Sequence, residues 1–94
     1  MTVFIRVPQA LAPDAAGSCD LALDLAPGST LVDLMDLLRV QYPALARRLC
    51  DETGEVRRFV NIYIGDHESR TLQGLATPIP SDSMLLVAGS VAGG

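Results

Sequence analysis

The chain has 94 residues and a formal net charge of −4, and both numbers exclude classes of protein. A chain of this length builds one hydrophobic core, and its 49% apolar residues suffice to fill it. All seven basic residues are arginines, they form no run, and eleven acidic residues outnumber them. This balance disfavours nucleic acid and anionic membrane as partners. We therefore expect a single globular domain that binds neither.

Targeting signals are also missing from the sequence. No apolar stretch approaches the roughly 18 to 20 residues that span a bilayer. The first six residues lack the charged start and cleavage site of a signal peptide. The two cysteines, Cys19 and Cys50, have no metal-binding or redox spacing. These features predict a cytoplasmic protein.

The first half of the chain predicts two strands and two helices. Residues 2–7 alternate between apolar and other side chains, and residues 20–25 alternate between leucine and mostly acidic ones, as half-buried strands do. Residues 9–18 read as a connection. Residues 31–42 carry apolar side chains at helical spacing, and Pro43 ends that helix and starts a shorter one.

The second half predicts the rest of a sheet. Residues 59–64 alternate as a strand, a turn follows at residues 65–69, and a short edge strand is expected near residues 70–72. Residues 84–87 are apolar at four consecutive positions, so that strand is either central and covered on both faces or half-exposed. This order predicts an α+β fold, the ubiquitin-like β-grasp. Four to five strands pack on one main helix, and the first and last strands are parallel neighbours at the centre.

Few residues offer catalytic chemistry. His67 is the single histidine and is expected to be a solvated turn residue, and Asp51 with Glu52 reads as a solvated loop because so small a domain offers no cleft. The two cysteines read as inert, partly buried thiols. No phosphate-binding glycine loop is present. We therefore expect no enzyme activity, no bound metal and no cofactor in the chain alone.

The end of the sequence is its most unusual feature. Gly93 and Gly94 are the residues that lose the most backbone entropy on ordering. We expect a domain at residues 1–90 and a flexible tail at residues 91–94. Such a tail can thread a narrow channel and present its carboxylate to another enzyme, where ATP can activate it as an acyl-adenylate.

Two stretches carry a resemblance to a known family. The tail Val91-Ala92-Gly93-Gly94 resembles that of the MoaD/ThiS ubiquitin-like sulfur-carrier family. The sequence from Arg58 onward is similar to the CysO-like carriers that deliver sulfur for cysteine synthesis. The matching stretches are residues 58–64, Asp66, Arg70, residues 74–77, Ile79 and residues 82–83.

The resemblance implies a carrier that other enzymes act on. It implies that an E1-like adenylating and sulfurtransferase enzyme consumes ATP to activate Gly94, which becomes a thiocarboxylate, while Gly93 serves as part of the tail. It also implies a downstream acceptor such as a cysteine-synthase-like protein, and possible association with a metallopeptidase.

A docking surface is expected on the sheet face that no helix covers. Strand alternation turns Phe4, Phe59 and Tyr63 outward, and the last strand adds either Leu85 with Val87 or Met84 with Leu86. We take the first pair as outer-face residues. The predicted partner-binding set is Phe4, Phe59, Tyr63, Leu85, Val87, Val91 and Ala92. A covering loop, a homodimer or arginine stems are the alternatives.

The sequence is also compatible with three other functions. The chain is a candidate for the small subunit of a molybdopterin synthase, which a stable complex with a large subunit would indicate. It is also a candidate for a ubiquitin-like protein modifier, which Gly94 conjugates on lysines would indicate. The remaining alternative is a binding module whose glycine tail has no role.

Overall fold

The computed structural model describes residues 1–89, which form one five-stranded sheet with two α-helices packed on one face. The strands are β1 (Thr2–Arg6), β2 (Asp20–Asp24), β3 (Val60–Ile64), β4 (His67–Glu68) and β5 (Met84–Gly89). The helices are α1 (Leu31–Gln41) and α2 (Pro43–Leu49). Three short 3-10 helices cover Gln9–Ala15, Ser69–Thr71 and Gly74–Ala76.

The two central strands come from opposite ends of the described chain. The strand order is β2-β1-β5-β3-β4. β1 and β5 are parallel, with Ile5 beside Leu85, and the other neighbouring strands are antiparallel. The predicted β-grasp fold and its central parallel pair are both confirmed.

The core lies between the inner face of the sheet and the helices. Ile5 and Leu85 are 2% and 0% exposed, and Leu34 and Leu38 of α1 are equally buried. The other strand residues of the core are Val3, Leu21, Leu23, Val60, Ile62, Ile64 and Val87. The four longer strands thus present every second residue to the helices, as the alternation of β1, β2 and β3 predicted.

Local chemistry sets the helix boundaries. The Asp33 carboxylate accepts the backbone N–H of Thr30 at 2.8 Å, which satisfies a donor at the N-terminus of α1. Pro43 cannot continue α1 because it lacks a backbone N–H, and it takes the first position of α2 instead. α1 therefore ends at Gln41, one residue before the predicted end.

The segment after β3 differs from its prediction. The prediction of an edge strand near residues 70–72 is wrong. Gly65 and Asp66 alone form the turn, so the edge strand β4 begins directly after them, at His67. Gly65 adopts a φ of 62°, which glycine reaches without strain. Arg70 consequently lies in a 3-10 helix, and the connection at residues 9–18 contains another.

The helices of the domain are short. Within residues 1–89, no helix is both long and apolar enough to cross a membrane.

We expect Leu38→Ala to lower the free energy of unfolding by about 2 to 5 kcal/mol, because Leu38 is fully buried between α1 and the sheet. Val40 on the same helix is 79% exposed, so Val40→Ala should change stability by less than about 0.5 kcal/mol. Urea denaturation of both variants measures the difference. Equal losses would contradict the assigned face of α1.

Candidate functional site

The sheet face opposite the helices carries a group of exposed apolar side chains. Phe4, Met84 and Leu86 are 39%, 48% and 42% exposed, and Tyr63 is half-buried. Phe4 pairs with Met84 across β1 and β5, and Leu86 pairs with Tyr63 across β5 and β3. These four residues therefore form one patch on the three central strands, which we call the outer patch. A cluster of this kind is typical of docking surfaces.

The side chains of β5 face the opposite way from the orientation that we expected. Leu85 and Val87 are 0% and 3% exposed and belong to the core. The cause is the register, since Leu85 lies beside Ile5 of β1, whose side chain faces the helices. The expectation that Leu85 and Val87 contact a partner is therefore wrong, and Met84 with Leu86 takes their place. Of the two alternatives for β5, a strand covered on both faces or a half-exposed one, the half-exposed strand is the one observed.

Phe59 lies in a turn rather than on β3. The Val60 N–H donates to the Arg57 carbonyl oxygen at 2.9 Å, which closes a four-residue turn. Arg58 and Phe59 occupy its two corner positions, and both are exposed. We call this segment the Arg58–Phe59 turn. The expected exposure of Phe59 is correct, but its position on a strand is not.

The Arg58–Phe59 turn adjoins the place where the described chain ends. Val60 pairs with Gly89, the last described residue, across β3 and β5. The pairing of β5 with β1 stops earlier, at Leu86 beside Arg6. The predicted tail residues Val91, Ala92, Gly93 and Gly94 lie outside the described residues, so their roles stay predictions.

Arg70 joins this turn to the edge of the sheet. Its Nη2 donates to the Arg57 carbonyl oxygen at 2.8 Å, and its Nη1 donates to Asn61 Oδ1 at 3.1 Å. The Glu68 carboxylate lies 3.6 Å from the same Nη1 and accepts the Arg70 N–H at 2.8 Å. The Ser69 hydroxyl donates to Glu68 at 3.1 Å. The two guanidinium hydrogen bonds connect Arg70 to residues 9 and 13 positions away, which is why no local pattern indicated them.

The remaining reactive side chains are apart from the outer patch. His67 is exposed, as expected, although it lies on β4 rather than in a turn. Cys50 is buried, and burial raises the pKa of its thiol, which disfavours the reactive thiolate. Cys19 is half-buried. Residues 1–89 bring no three potential metal-ligating side chains together.

An open cleft of about 680 Å³ lies between α1, α2 and the loop after α2. Asp51 and Glu52 line it, so the expectation that this domain offers no cleft there is wrong. The Asp51 carboxylate nevertheless accepts hydrogen bonds from the Thr53 hydroxyl and from the N–H groups of Thr53 and Glu55. These bonds, the Thr53 hydroxyl above all, hold the pKa of Asp51 below its usual range. Asp51 therefore shapes its loop and is a weak base.

Comparison with known proteins places the chain in a family. No protein-family model matches it. It is 34% identical over 96 residues to the sulfur carrier protein CysO of Mycobacterium tuberculosis, across the full length of both chains. The crystal structure of Mycobacterium tuberculosis CysO matches with a TM-score of 0.80 and 32% identity, covering 95% of this chain and 99% of that one.

A second solved structure agrees. A chain of the Amycolatopsis orientalis BexX/CysO complex matches with a TM-score of 0.82 and 26% identity, covering 98% of this chain and 99% of that one. The chain belongs to the CysO family of sulfur carrier proteins. The predicted resemblance is confirmed, and the relatives named here are carrier proteins.

The Glu68 carboxylate gives this CysO-family domain a measurable pH response. Partial burial raises its pKa, but hydrogen bonds from the Arg70 N–H and the Ser69 hydroxyl, together with the Arg70 charge, outweigh burial. The pKa therefore lies below the ordinary value of 4.5. Because the folded state favours the ionised form, its stabilisation is complete above pH 4.5 and is lost as the pH falls through the folded pKa.

We expect an NMR titration of the Glu68 side chain to give a midpoint below 4.5, and Arg70→Met to raise that midpoint because the guanidinium charge is removed. Arg48→Met removes a guanidinium that pairs with Asp14 instead, so it serves as the control. A midpoint that Arg70→Met leaves unchanged would contradict the assigned ion pair.

Proposed function

We propose that the chain carries sulfur as a thiocarboxylate at Gly94, which an E1-like enzyme forms and a downstream enzyme consumes. The observation that carries this proposal is the full-length identity of 34% with CysO sulfur carriers, in a chain that ends in Gly93-Gly94. Without side chains, the two glycines suit a narrow channel in a partner enzyme. The described residues supply a scaffold and a docking face, and the partners supply the catalysis.

The proposed chemistry has two balanced steps. A carboxylate oxygen of Gly94 attacks the α-phosphorus of ATP, which forms the acyl-adenylate and releases pyrophosphate. Hydrosulfide then attacks the acyl carbon, AMP leaves with the former carboxylate oxygen, and a proton goes to solvent. The product is a thiocarboxylate, whose sulfur is a better nucleophile than the oxygen it replaced. ATP binds the partner enzyme in this scheme and is no cofactor of the carrier.

The geometry of β5 supports a reaction at a distance from the domain. The last described residue, Gly89, pairs with β3 and lies three residues beyond Leu86, the last residue that β1 pairs with β5. Five residues follow, and an extended chain advances at most about 3.3 to 3.6 Å for each, or roughly 17 Å in all. A partner can therefore hold the domain on its surface while its catalytic site lies well below.

The outer patch is the surface that we assign to the E1-like enzyme. Its side chains lie on β1, β3 and β5, and β5 and β3 continue from the patch to the pair of Gly89 with Val60. A single exposed apolar residue needs no explanation, whereas four adjacent ones do. The solved BexX/CysO complex of the Amycolatopsis orientalis relative supports an assembly between a carrier and a partner protein. For the acceptor we propose a cysteine-synthase-like enzyme that makes cysteine.

Deletion of Gly94 should abolish thiocarboxylate formation, because the carboxylate then moves back by one residue, up to about 3.5 Å. Gly93→Val should lower the rate strongly, since it adds a β-branched side chain where the channel is narrowest. The assay incubates the carrier with ATP, sulfide and an E1-like enzyme and measures the intact mass. The expected product carries one sulfur in place of one oxygen.

A folding control accompanies this assay, and two outcomes of the assay would contradict the proposal. Thermal unfolding of both tail variants should match that of the wild-type chain, because residues 1–89 contain the core. Full sulfur transfer by the Gly94 deletion would refute the proposal. Sulfur found on Cys19 or Cys50 as a persulfide would refute it as well.

We expect Leu86→Asp to raise the KM of adenylation at least about tenfold, because a charge in the middle of the outer patch must lose its water on docking. Val40→Asp is the matched control, since it places the same charge on an exposed valine on the helical side. The kcat values of both variants should stay near that of the wild type. An equal effect of the two substitutions would exclude the outer patch as the docking surface.

A further inference from the structure

The Arg58–Phe59 turn has a charge that differs from the rest of the domain. The chain carries a net charge of −4, yet Arg58 and Arg70 both lie beside the end of β5. The Arg57 side chain is directed to α2 instead, where its Nε donates to the Arg47 carbonyl oxygen at 3.0 Å. No carboxylate of residues 1–89 pairs with Arg58, and its side chain is exposed. Phe59 adds an aromatic ring, 42% exposed, at the adjacent corner. One small turn thus presents a cation and an aromatic side chain, both common at the centre of interfaces.

Arg70 holds that turn in place. Its two terminal nitrogens contact the Arg57 carbonyl oxygen and the Asn61 side chain, on either side of Arg58 and Phe59 in sequence. The Arg57 carbonyl oxygen also accepts the Val60 N–H that closes the turn. The planar guanidinium reaches both acceptors at once, which a lysine ammonium on a flexible stem does less well. The Glu68 carboxylate in turn holds Arg70, through its guanidinium and its backbone N–H.

From these contacts we propose that the Arg58–Phe59 turn, positioned by Arg70 beside the end of β5, is an element that the activating enzyme of the carrier recognises. The occupant is an acidic surface with an apolar contact for Phe59, because the exposed charge here is positive while the carrier as a whole is negative. This inference rests on the proposed function and extends the docking surface from the sheet face to the turn beside Gly89. Arg58 and Phe59 contact the partner, and Arg70 acts through them as a positioning residue.

Positioning by Arg70 has a readout that needs no partner. In Arg70→Met, amide hydrogen exchange at Val60 should accelerate at least about tenfold, because the turn loses one of the two donors to its closing carbonyl. Arg70→Lys should give an intermediate rate. Arg48→Met, which removes an ion pair with Asp14 on the helical side, should leave the exchange of Val60 unchanged. An unchanged rate in Arg70→Met overturns the positioning role.

Recognition by the turn is tested in the adenylation assay with the E1-like enzyme that activates the wild-type chain. Arg58→Glu and Arg70→Met should each raise KM about five- to tenfold and leave kcat within about twofold, since the tail is unaltered. The KM of the wild type should rise with salt, and that of Arg58→Glu should not. Arg47→Glu reverses an exposed arginine on α2 and should change neither quantity.

The outcomes separate this inference from the proposed function. A wild-type chain that is adenylated normally, with Arg58→Glu and Arg70→Met at the wild-type KM, overturns recognition by the turn and leaves the carrier function intact. A wild-type chain that is never adenylated overturns the proposed function and recognition together. The exchange rate of Val60 still decides the role of Arg70 in that case.

Discussion

The parallel pairing of β1 with β5 is the constraint on which the rest of the molecule depends. It places Ile5 beside Leu85 at the centre of the sheet, so the two ends of the described chain build the middle of the core. Because α1 and α2 cover the inner face, the alternation that buries these residues turns their neighbours outward. The core and the outer patch are consequently two results of one register. A slip of one residue would exchange them.

The register of β1 and β5 also decides which side chains of β5 are exposed, a question that the sequence alone left open. Element order and breaker residues were enough to predict the β-grasp fold, the α1 helix and the central strands. Four consecutive apolar residues in β5 carry no alternation, so the choice between Leu85 with Val87 and Met84 with Leu86 needed the pairing partner. The partner is Ile5, and its side chain had been assigned to the core correctly. Aligning β5 with β1 in the correct register would have identified Met84 and Leu86 as the exposed residues.

The other departures arise from segments with weak local signals. β4 has only two residues, too few for any periodicity, although Gly65-Asp66 is the two-residue hairpin signal that marks its start. The Arg58–Phe59 turn contains no glycine, proline or asparagine, so nothing in its composition indicated a turn. It is stabilised instead by Arg70, which lies 13 residues from Arg57. Tertiary contacts of this kind leave no pattern in a single sequence.

Charged side chains are distributed unevenly over the sheet. The carboxylates Asp20 and Asp24 lie on the edge strand β2, and Arg58 and Arg70 lie on the side of the sheet where β5 ends. Ion pairs of exposed arginines, such as Arg6 with Asp20, contribute little stability. An uneven distribution of charge can still orient an approaching domain over a Debye length, about 8 Å at physiological salt. In the proposed carrier, an acidic partner would meet the positively charged Arg58–Phe59 turn first and the apolar outer patch next.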